Sequence, residues 1–108
     1  MQLQLSAAGA VFVPSIVLGE LYYGARKSGR AAANVTRVDA FAAGNAVLVC
    51  DEDTARRYGE IKDGLRVIGR PIPENDIWIA AVARQHGLTL ATRDAHFSHV
   101  AGLLVAAW

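Results

Sequence analysis

The stretch of residues 72–94 constrains the fold of this chain more than any other part of its sequence. Pro71 and Pro73 impose an extended start, because proline fixes its own φ and restricts the residue before it. Apolar residues at helical spacing then predict a helix over residues 76–86, which Gly87 ends. The apolar run that follows, residues 88–91, predicts a short buried strand, so this helix leads back into a sheet.

Two carboxylates flank this helix and strand. Asn75 or Asp76 is placed to cap the start of the helix, and Asp94 follows the strand almost directly. If the strand runs antiparallel to the helix, its end returns to the level of the helix start, because both elements are about 15 Å long. The sequence therefore predicts that Asp76 and Asp94 lie side by side at the carboxyl ends of the strands, where open α/β sheets bind ligands.

The composition limits the class of protein. The 108 residues suffice for one domain with a core but not for two. With 53% hydrophobic and 19% charged residues, the chain is not disordered, and we expect an apolar surface for a partner or for self-association. The net charge of +1 does not indicate a nucleic-acid binder, and the single cysteine, Cys50, is expected to be a buried, inert thiol. No transmembrane helix or signal peptide is apparent, which predicts a cytoplasmic protein without a membrane partner.

Strand and helix patterns alternate along the chain. Residues 1–5 fit either a short strand or the last turn of a helix. Strands are predicted over residues 10–13, 46–50 and 103–106, and helices from a Ser15 cap onward, over 31–43 with Phe41 facing inward, from about 51 to 68, and briefly over 95–100. This order predicts an α/β domain of three layers, with a small, mostly parallel sheet of about four strands.

A third carboxylate, Glu20, lies in the second turn of the helix that follows the first of these strands. It is therefore expected at the same end of the sheet as Asp76 and Asp94. Carboxylates that lie this close repel one another unless protons or a divalent cation neutralise them, and ligands with oxygen atoms alone suit Mg²⁺ or Mn²⁺. Taken singly, Asp76 is also explained as a carboxylate at a helix start and Asp94 as a cap, but a Glu between leucines is rarely left unpaired.

Three segments resemble the PIN-domain ribonucleases, and among them the VapC toxins of bacterial toxin–antitoxin pairs. They are PSIVLGELYYGARKS (residues 14–28), IPENDIWIAAVARQHGLTLATRDAHF (72–97) and VAGLLVAAW (100–108). The resemblance implies one PIN-like domain over residues 1–108 and an acidic site that binds Mg²⁺ or Mn²⁺. In that site Glu20, Asp76 and Asp94 are the metal-binding and catalytic residues, and Asn75 and Thr92 support them.

The resemblance also implies the chemistry and the partners: metal-dependent hydrolysis of RNA phosphodiesters, a cognate antitoxin and a homodimer. Arg26, Lys27 and Arg93 are candidates for contacts with RNA phosphates, although solvated turn residues would look the same. The three histidines, His86, His96 and His99, lack the spacing of metal ligands and are expected to have surface or packing roles.

The beginning of the chain departs from the family pattern. The family starts with a strand that ends in Asp-Thr-Asn, whose Asp binds metal, whereas residues 1–19 contain no Asp or Glu. By the resemblance, residues 1–8 match the tail of the following helix, so a truncated start and an unfilled place in the middle of the sheet are expected. The alternatives are an inactive PIN domain that serves only for binding or dimerisation, a dimer in which the partner chain donates the missing strand, and replacement of the acid by Asp51 or Asp53.

Overall fold

Strands and helices alternate along the chain in the computed structural model, which describes residues 3–7 and 10–107. The strands within these residues are β1 Leu3–Ala7, β2 Ala10–Pro14, β3 Ala46–Leu48, β4 Thr89–Thr92 and β5 Leu104–Ala107. The helices are α1 Ser15–Arg26, α2 Ala31–Ala43, α3 Glu52–Val67 and α4 Glu74–Gln85, and a 3-10 helix spans Ala95–His99. The element order after the first strand is the one predicted, with shifts of one to three residues at most boundaries.

The sheet has the strand order β3–β2–β1–β4–β5. β2 and β3 are parallel, β4 and β5 are parallel, and β1 is antiparallel to both of its neighbours. The carboxyl ends of β2 to β5 therefore lie at the same end of the sheet. The crossovers from β2 to β3 and from β3 to β4 move in opposite directions across the sheet. Right-handed connections then place α1–α2 and α3–α4 on opposite faces, which confirms the three-layer α/β prediction.

The core is centred on α4, the most buried helix. Ile79 and residues 80–83 of this helix are 0% exposed, as are Leu90 of β4 and Phe97 of the 3-10 helix. The run of small alanines lets α4 lie close to both β4 and α3, which contributes Leu65 to the same core. Because α4 is held on several sides, the residues in its first turn have a fixed position relative to the sheet.

Glycine ends two helices, as predicted for Gly87. Gly87 has φ +63°, and the next residue, Leu88, donates its N–H to the Ala83 carbonyl at 2.9 Å. Gly69 ends α3 in the same way, with φ +67° and an N–H···O bond from Arg70 to Leu65 of 3.0 Å. A left-handed residue at this point favours glycine, because other residues would bring Cβ too close to the backbone.

The first strand resolves the two alternatives for the beginning of the chain. Leu3–Ala7 forms β1, so the match of this segment to a helix tail is wrong and the strand alternative is correct. Residues 1, 2 and 8 lie outside the described part. Leu5 pairs with Phe12 of β2 on one side and with Leu90 of β4 on the other. The chain's own strand therefore lies in the middle of the sheet, in a place we expected to be unfilled.

Three local expectations are wrong. Cys50 is exposed, because β3 ends at Leu48 and the chain leaves the sheet before reaching the cysteine. Phe41 is 42% exposed, since α2 lies at the periphery of the molecule and buries none of its residues. Ser15 is the first residue of α1 rather than its cap; Pro14 takes the cap position in an extended conformation, and no side chain caps the helix.

Apolar side chains remain exposed on the sheet, as the composition suggested. Ser6 of β1 pairs with both Val11 and Thr89, and Thr89 pairs with Leu104, so these residues form one row across the strands. Val11 is 39% exposed and Leu104 58%. Among the described residues, no helix combines the length and the apolar character that crossing a membrane would require.

Candidate active site

The predicted acidic residues lie at the carboxyl ends of the parallel strands. Glu20 is in the second turn of α1, which starts where β2 ends, and α1 contacts α4. Asp76 is in the first turn of α4, and Asp94 follows β4 at the start of the 3-10 helix. The helix α4 begins at Glu74 with Pro73 at its cap position, so the expectation that Asn75 or Asp76 caps the helix is wrong.

Glu20 has an unpaired polar atom in the interior. Its Oε1 is buried and has no hydrogen-bond partner within the described residues. Burial raises the pKa of the Glu20 carboxyl, and the nearby charge of Asp76 raises this pKa further. A buried polar atom without a partner costs about 1–3 kcal/mol, so the chain carries this carboxyl at the expense of stability. Within the described residues no protein group pairs with this oxygen, so the expectation that a metal ion pairs with Glu20 stays a prediction.

Asp76 has a partner that the sequence did not reveal. His96 Nε2 lies 3.0 Å from Asp76 Oδ2, and the two side chains are 34% and 18% exposed. The imidazole also packs on the ring of Phe97, with the ring centroids 4.7 Å apart. The predicted packing role of His96 is therefore only part of its role, because the same side chain also contacts a candidate ligand.

Asp94 lies in the turn between β4 and the 3-10 helix. Its side chain is exposed and forms no capping hydrogen bond, so the explanation of Asp94 as a helix cap is wrong. Its backbone N–H donates to Oγ1 of the buried Thr92 at 3.1 Å, and Thr92 thus supports the turn that carries Asp94. Within the part of the chain that the structure describes, no three His, Cys, Asp or Glu side chains form a group that could hold a metal ion.

Asp51 and Asp53, the candidates to replace the missing metal-binding acid, make structural contacts instead. Asp51 caps α3 in a capping box with Thr54: its carboxylate accepts from the Thr54 backbone N–H at 3.0 Å, and its own N–H donates to Thr54 Oγ1 at 3.0 Å. Asp53 lies 3.4 Å from Arg57 on the same helix. Asp51 is thus a helix cap, and Asp53 pairs with an arginine of the same helix.

Glu20 and Asp76 are suited to a hard divalent cation. The buried, unpaired Oε1 of Glu20 is an oxygen donor without a protein partner, and the neighbouring Asp76 carboxylate accepts one hydrogen bond through Oδ2. Two repelling carboxylates with free oxygen atoms are the kind of donors that Mg²⁺ and Mn²⁺ bind while keeping several water molecules. Glu20 and Asp76 therefore fit such an ion.

A groove of about 360 Å³ between α1 and α2 begins at Glu20. Asn34, Arg37 and Val38 of α2 line its other side. These residues lie at positions i, i+3 and i+4 of one helix, and this stripe is the signal by which the sequence could have revealed them. Arg37 therefore lines the same groove as Glu20, a position that we did not predict. Tyr22 Oη donates to Asp39 Oδ1 at 2.5 Å and holds the two helices together.

The predicted RNA-contacting residues lie on the surface. Arg26 and Arg93 are exposed, and Lys27 Nζ is 5.1 Å from the centroid of the Tyr23 ring, which is itself exposed. These positions are compatible with phosphate contacts as well as with solvated turns, so the assignment stays a prediction. Trp78 stacks on Tyr58 with the ring centroids 4.2 Å apart, so this ring has a packing role.

Known proteins are similar to this chain in sequence and in structure. The PIN domain family matches residues 2–103 of the chain. Ribonuclease VapC2 of Haemophilus influenzae is 38% identical over 102 residues, which cover 94% of this chain and 77% of the relative. The tRNA(fMet)-specific endonuclease VapC of Shigella flexneri is 35% identical over 101 residues, covering 93% and 76%.

Solved structures agree with this assignment. The DNA-bound VapBC of Salmonella typhimurium matches with a TM-score of 0.86 and 33% identity, over 90% of this chain and 74% of that one. VapBC2 of Rickettsia felis, bound to a DNA fragment from its promoter, matches with a TM-score of 0.85 and 30% identity, over 92% and 75%. The fold, the order of the acidic residues and these similarities lead to one conclusion: the chain belongs to the PIN-domain family, among its VapC-type members.

Proposed function

We propose that this chain is a VapC-type toxin that hydrolyses RNA phosphodiesters with Mg²⁺ or Mn²⁺ at a site formed by Glu20, Asp76 and Asp94. The observation that carries the proposal is the buried, unpaired Oε1 of Glu20 beside Asp76, at the end of the sheet where α/β folds bind ligands. Relatives with this fold are named as ribonucleases, including one specific for tRNA(fMet). We infer an RNA substrate from that similarity and from Arg37, which lines the groove that begins at Glu20.

Each side chain has a role in this proposal. When bound, the cation would neutralise the carboxylates and lower the pKa of a water molecule that attacks phosphorus. Glu20 and Asp76 would hold it, and Asp94 would join them from the turn that Thr92 supports. Asn75 is exposed at the start of α4, next to the site. The phosphates of the RNA chain would be neutralised and oriented by four basic side chains: Arg26, Lys27, Arg37 and Arg93.

The test is Mn²⁺-dependent cleavage of tRNA and of a single-stranded RNA by the purified 108-residue chain. Asp76→Asn should abolish cleavage, because it removes a charge from the ion's ligands while keeping the size of the side chain. Asp63→Asn, which changes an exposed aspartate of α3, is the matched control and should cleave like the unchanged chain. Equal cleavage by the unchanged chain and Asp76→Asn would refute the proposed site.

The second candidate function is an inactive PIN domain that only binds or dimerises. It is favoured by the exposed position of Asp94 and by the finding that no three possible ligands among the described side chains form a group that could hold a metal ion. The same assay separates the two candidates, because an inactive domain would cleave neither RNA at any Mn²⁺ concentration.

For partners, we propose a cognate antitoxin, because a similar structure is described as a member of the VapBC family of toxin–antitoxin systems. A homodimer is a further proposal, which sedimentation of the purified chain would test. The central place in the sheet is filled by the chain's own β1, so the sheet is complete without a donated strand. The swapped dimer stays a prediction, and a crystal structure of the dimer would decide it.

A further inference from the structure

His96 connects the hydrophobic core to the acidic site. Its ring lies on Phe97, which is 0% exposed, and its Nε2 reaches Oδ2 of Asp76 at 3.0 Å. The short 3-10 helix Ala95–His99 that carries it follows the turn of Asp94. One side chain therefore spans the distance from a buried anchor to a candidate metal ligand.

The chemistry of the contact fixes the direction of the hydrogen bond. An ionised carboxylate only accepts, so the proton lies on Nε2 and the imidazole donates it to Asp76. The bond uses one carboxylate oxygen, Oδ2, and leaves Oδ1 with its acceptor capacity. This is the arrangement in which an outer group orients a carboxylate while the carboxylate can still bind an ion.

The position of Asp76 needs such a restraint. The carboxylates of Glu20 and Asp76 repel each other, and one oxygen of Glu20, Oε1, is buried. Asp76 lies in the first turn of a helix, where rotation of its side chain toward water would relieve the repulsion. A donor anchored on the core opposes this rotation, whereas a mobile surface group would rotate together with the carboxylate.

We propose that His96 is a positioning residue, which by donating Nε2–H to Asp76 Oδ2 keeps the Asp76 carboxylate beside Glu20 so that both can bind one divalent cation. This inference rests on the metal site of the proposed function and adds a residue outside its ligand set. His96 is not itself a ligand in this arrangement, because its Nε2 is engaged by Asp76.

The experiment measures the affinity of the whole chain for Mn²⁺, from the paramagnetic resonance signal of the free ion. His96→Phe keeps a ring on Phe97 but removes the donor, and it should weaken binding about 10- to 100-fold, as loss of an orienting group does at other metal sites. His96→Gln, which places an amide N–H at similar reach, should restore most of the affinity. His99→Phe changes an exposed histidine of the same 3-10 helix and should bind like the unchanged chain.

Two further readouts separate positioning from folding and from ligation. The melting temperature without metal should be similar for His96→Phe and the unchanged chain, which a purely structural role would not allow. In the unchanged chain, the ¹⁵N spectrum of His96 should show a proton on Nε2, and this result needs no variant to fold. A spectrum with Nε2 unprotonated would overturn the proposal.

The outcomes also distinguish this inference from the proposed function. Mn²⁺ binding by the unchanged chain and an equal affinity in His96→Phe would overturn the positioning role alone. A loss of affinity in His96→Gln as large as in His96→Phe would do the same, because it would make the imidazole itself a ligand. If the unchanged chain binds no Mn²⁺, both the metal site and the role of His96 are refuted.

Discussion

Replacing Glu20 with Gln should stabilise the chain without metal while removing its ability to bind metal. Burial and the Asp76 charge raise the pKa of Glu20 in the folded state above its value in the unfolded state. The folded state therefore binds more protons between these two pKa values, and stability falls as the pH rises through that range and stays low above it. A glutamine cannot ionise, so the variant does not lose stability as the pH rises. Its helix propensity is also close to that of glutamate.

The size of this stabilisation follows from the missing hydrogen bond of Glu20 Oε1. A buried polar atom without a partner costs about 1–3 kcal/mol, and the amide of glutamine keeps part of that cost because its oxygen is also buried. The gain at neutral pH should therefore be about 1 kcal/mol, which for a chain of this size raises the melting temperature by about 4 °C. At a pH below the pKa of Glu20 in the unfolded state, the two proteins should differ little.

The assay is calorimetric melting in the presence of a chelator, at an acidic and at a neutral pH. Glu60→Gln, which changes an exposed glutamate of α3 that lies 3.4 Å from Arg84, is the control and should stay within about 0.5 kcal/mol. Added Mn²⁺ should invert the order, because an ion at 100 times its dissociation constant adds about 2.7 kcal/mol to the unchanged chain alone. A lower melting temperature for Glu20→Gln at neutral pH, without metal, would refute the reasoning.

Three predictions concern the framework of the site. Thr54→Val should cost about 1–2 kcal/mol, because Thr54 is 0% exposed and its hydroxyl closes the capping box with Asp51; an unchanged urea midpoint would contradict this. Hydrogen bonds from the Thr54 backbone and from Gln85 lower the pKa of Asp51, so its stabilising effect is present above the unfolded pKa and is lost as the pH falls through the folded one. The urea midpoints of Asp51→Asn and the unchanged chain should accordingly converge in acid. Leu90→Ala should cost about 2–5 kcal/mol in urea unfolding, far more than the matched Val47→Ala on β3, and equal costs would show that the core is misplaced.

The sequence predicted the parts of the fold that depend on local signals. Gly87 ends α4 because a left-handed residue is needed there, and this requirement can be recognised without knowledge of the fold. The same holds for the order of helices and strands after Pro14, which apolar spacing reveals. The placement of Glu20 beside Asp76 followed from the rule that parallel strands share their carboxyl ends, and it needed no contact information.

What escaped prediction depends on neighbours that are distant in sequence. His96 reaches Asp76 only because α4 and β4 fold back on each other, and no spacing along the chain indicates that contact. Cys50 is exposed because β3 is short, and strand ends are weakly encoded in an apolar run. The choice between strand and helix for Leu3–Ala7 was decided by pairing with β4, which lies at the other end of the sequence.

The central position of β1 bears on how the sheet is protected against aggregation through its strand edges. β1 is the sole connection between the β3–β2 pair and the β4–β5 pair in the described sheet. With β1 in place the sheet has two strand edges, on β3 and β5; if β1 detaches, β2 and β4 become edges as well. Their backbone N–H and C=O groups would then be free to pair with another chain, which is the usual route from an open sheet to aggregation. The five residues of β1 thus keep β2 and β4 from becoming exposed strand edges.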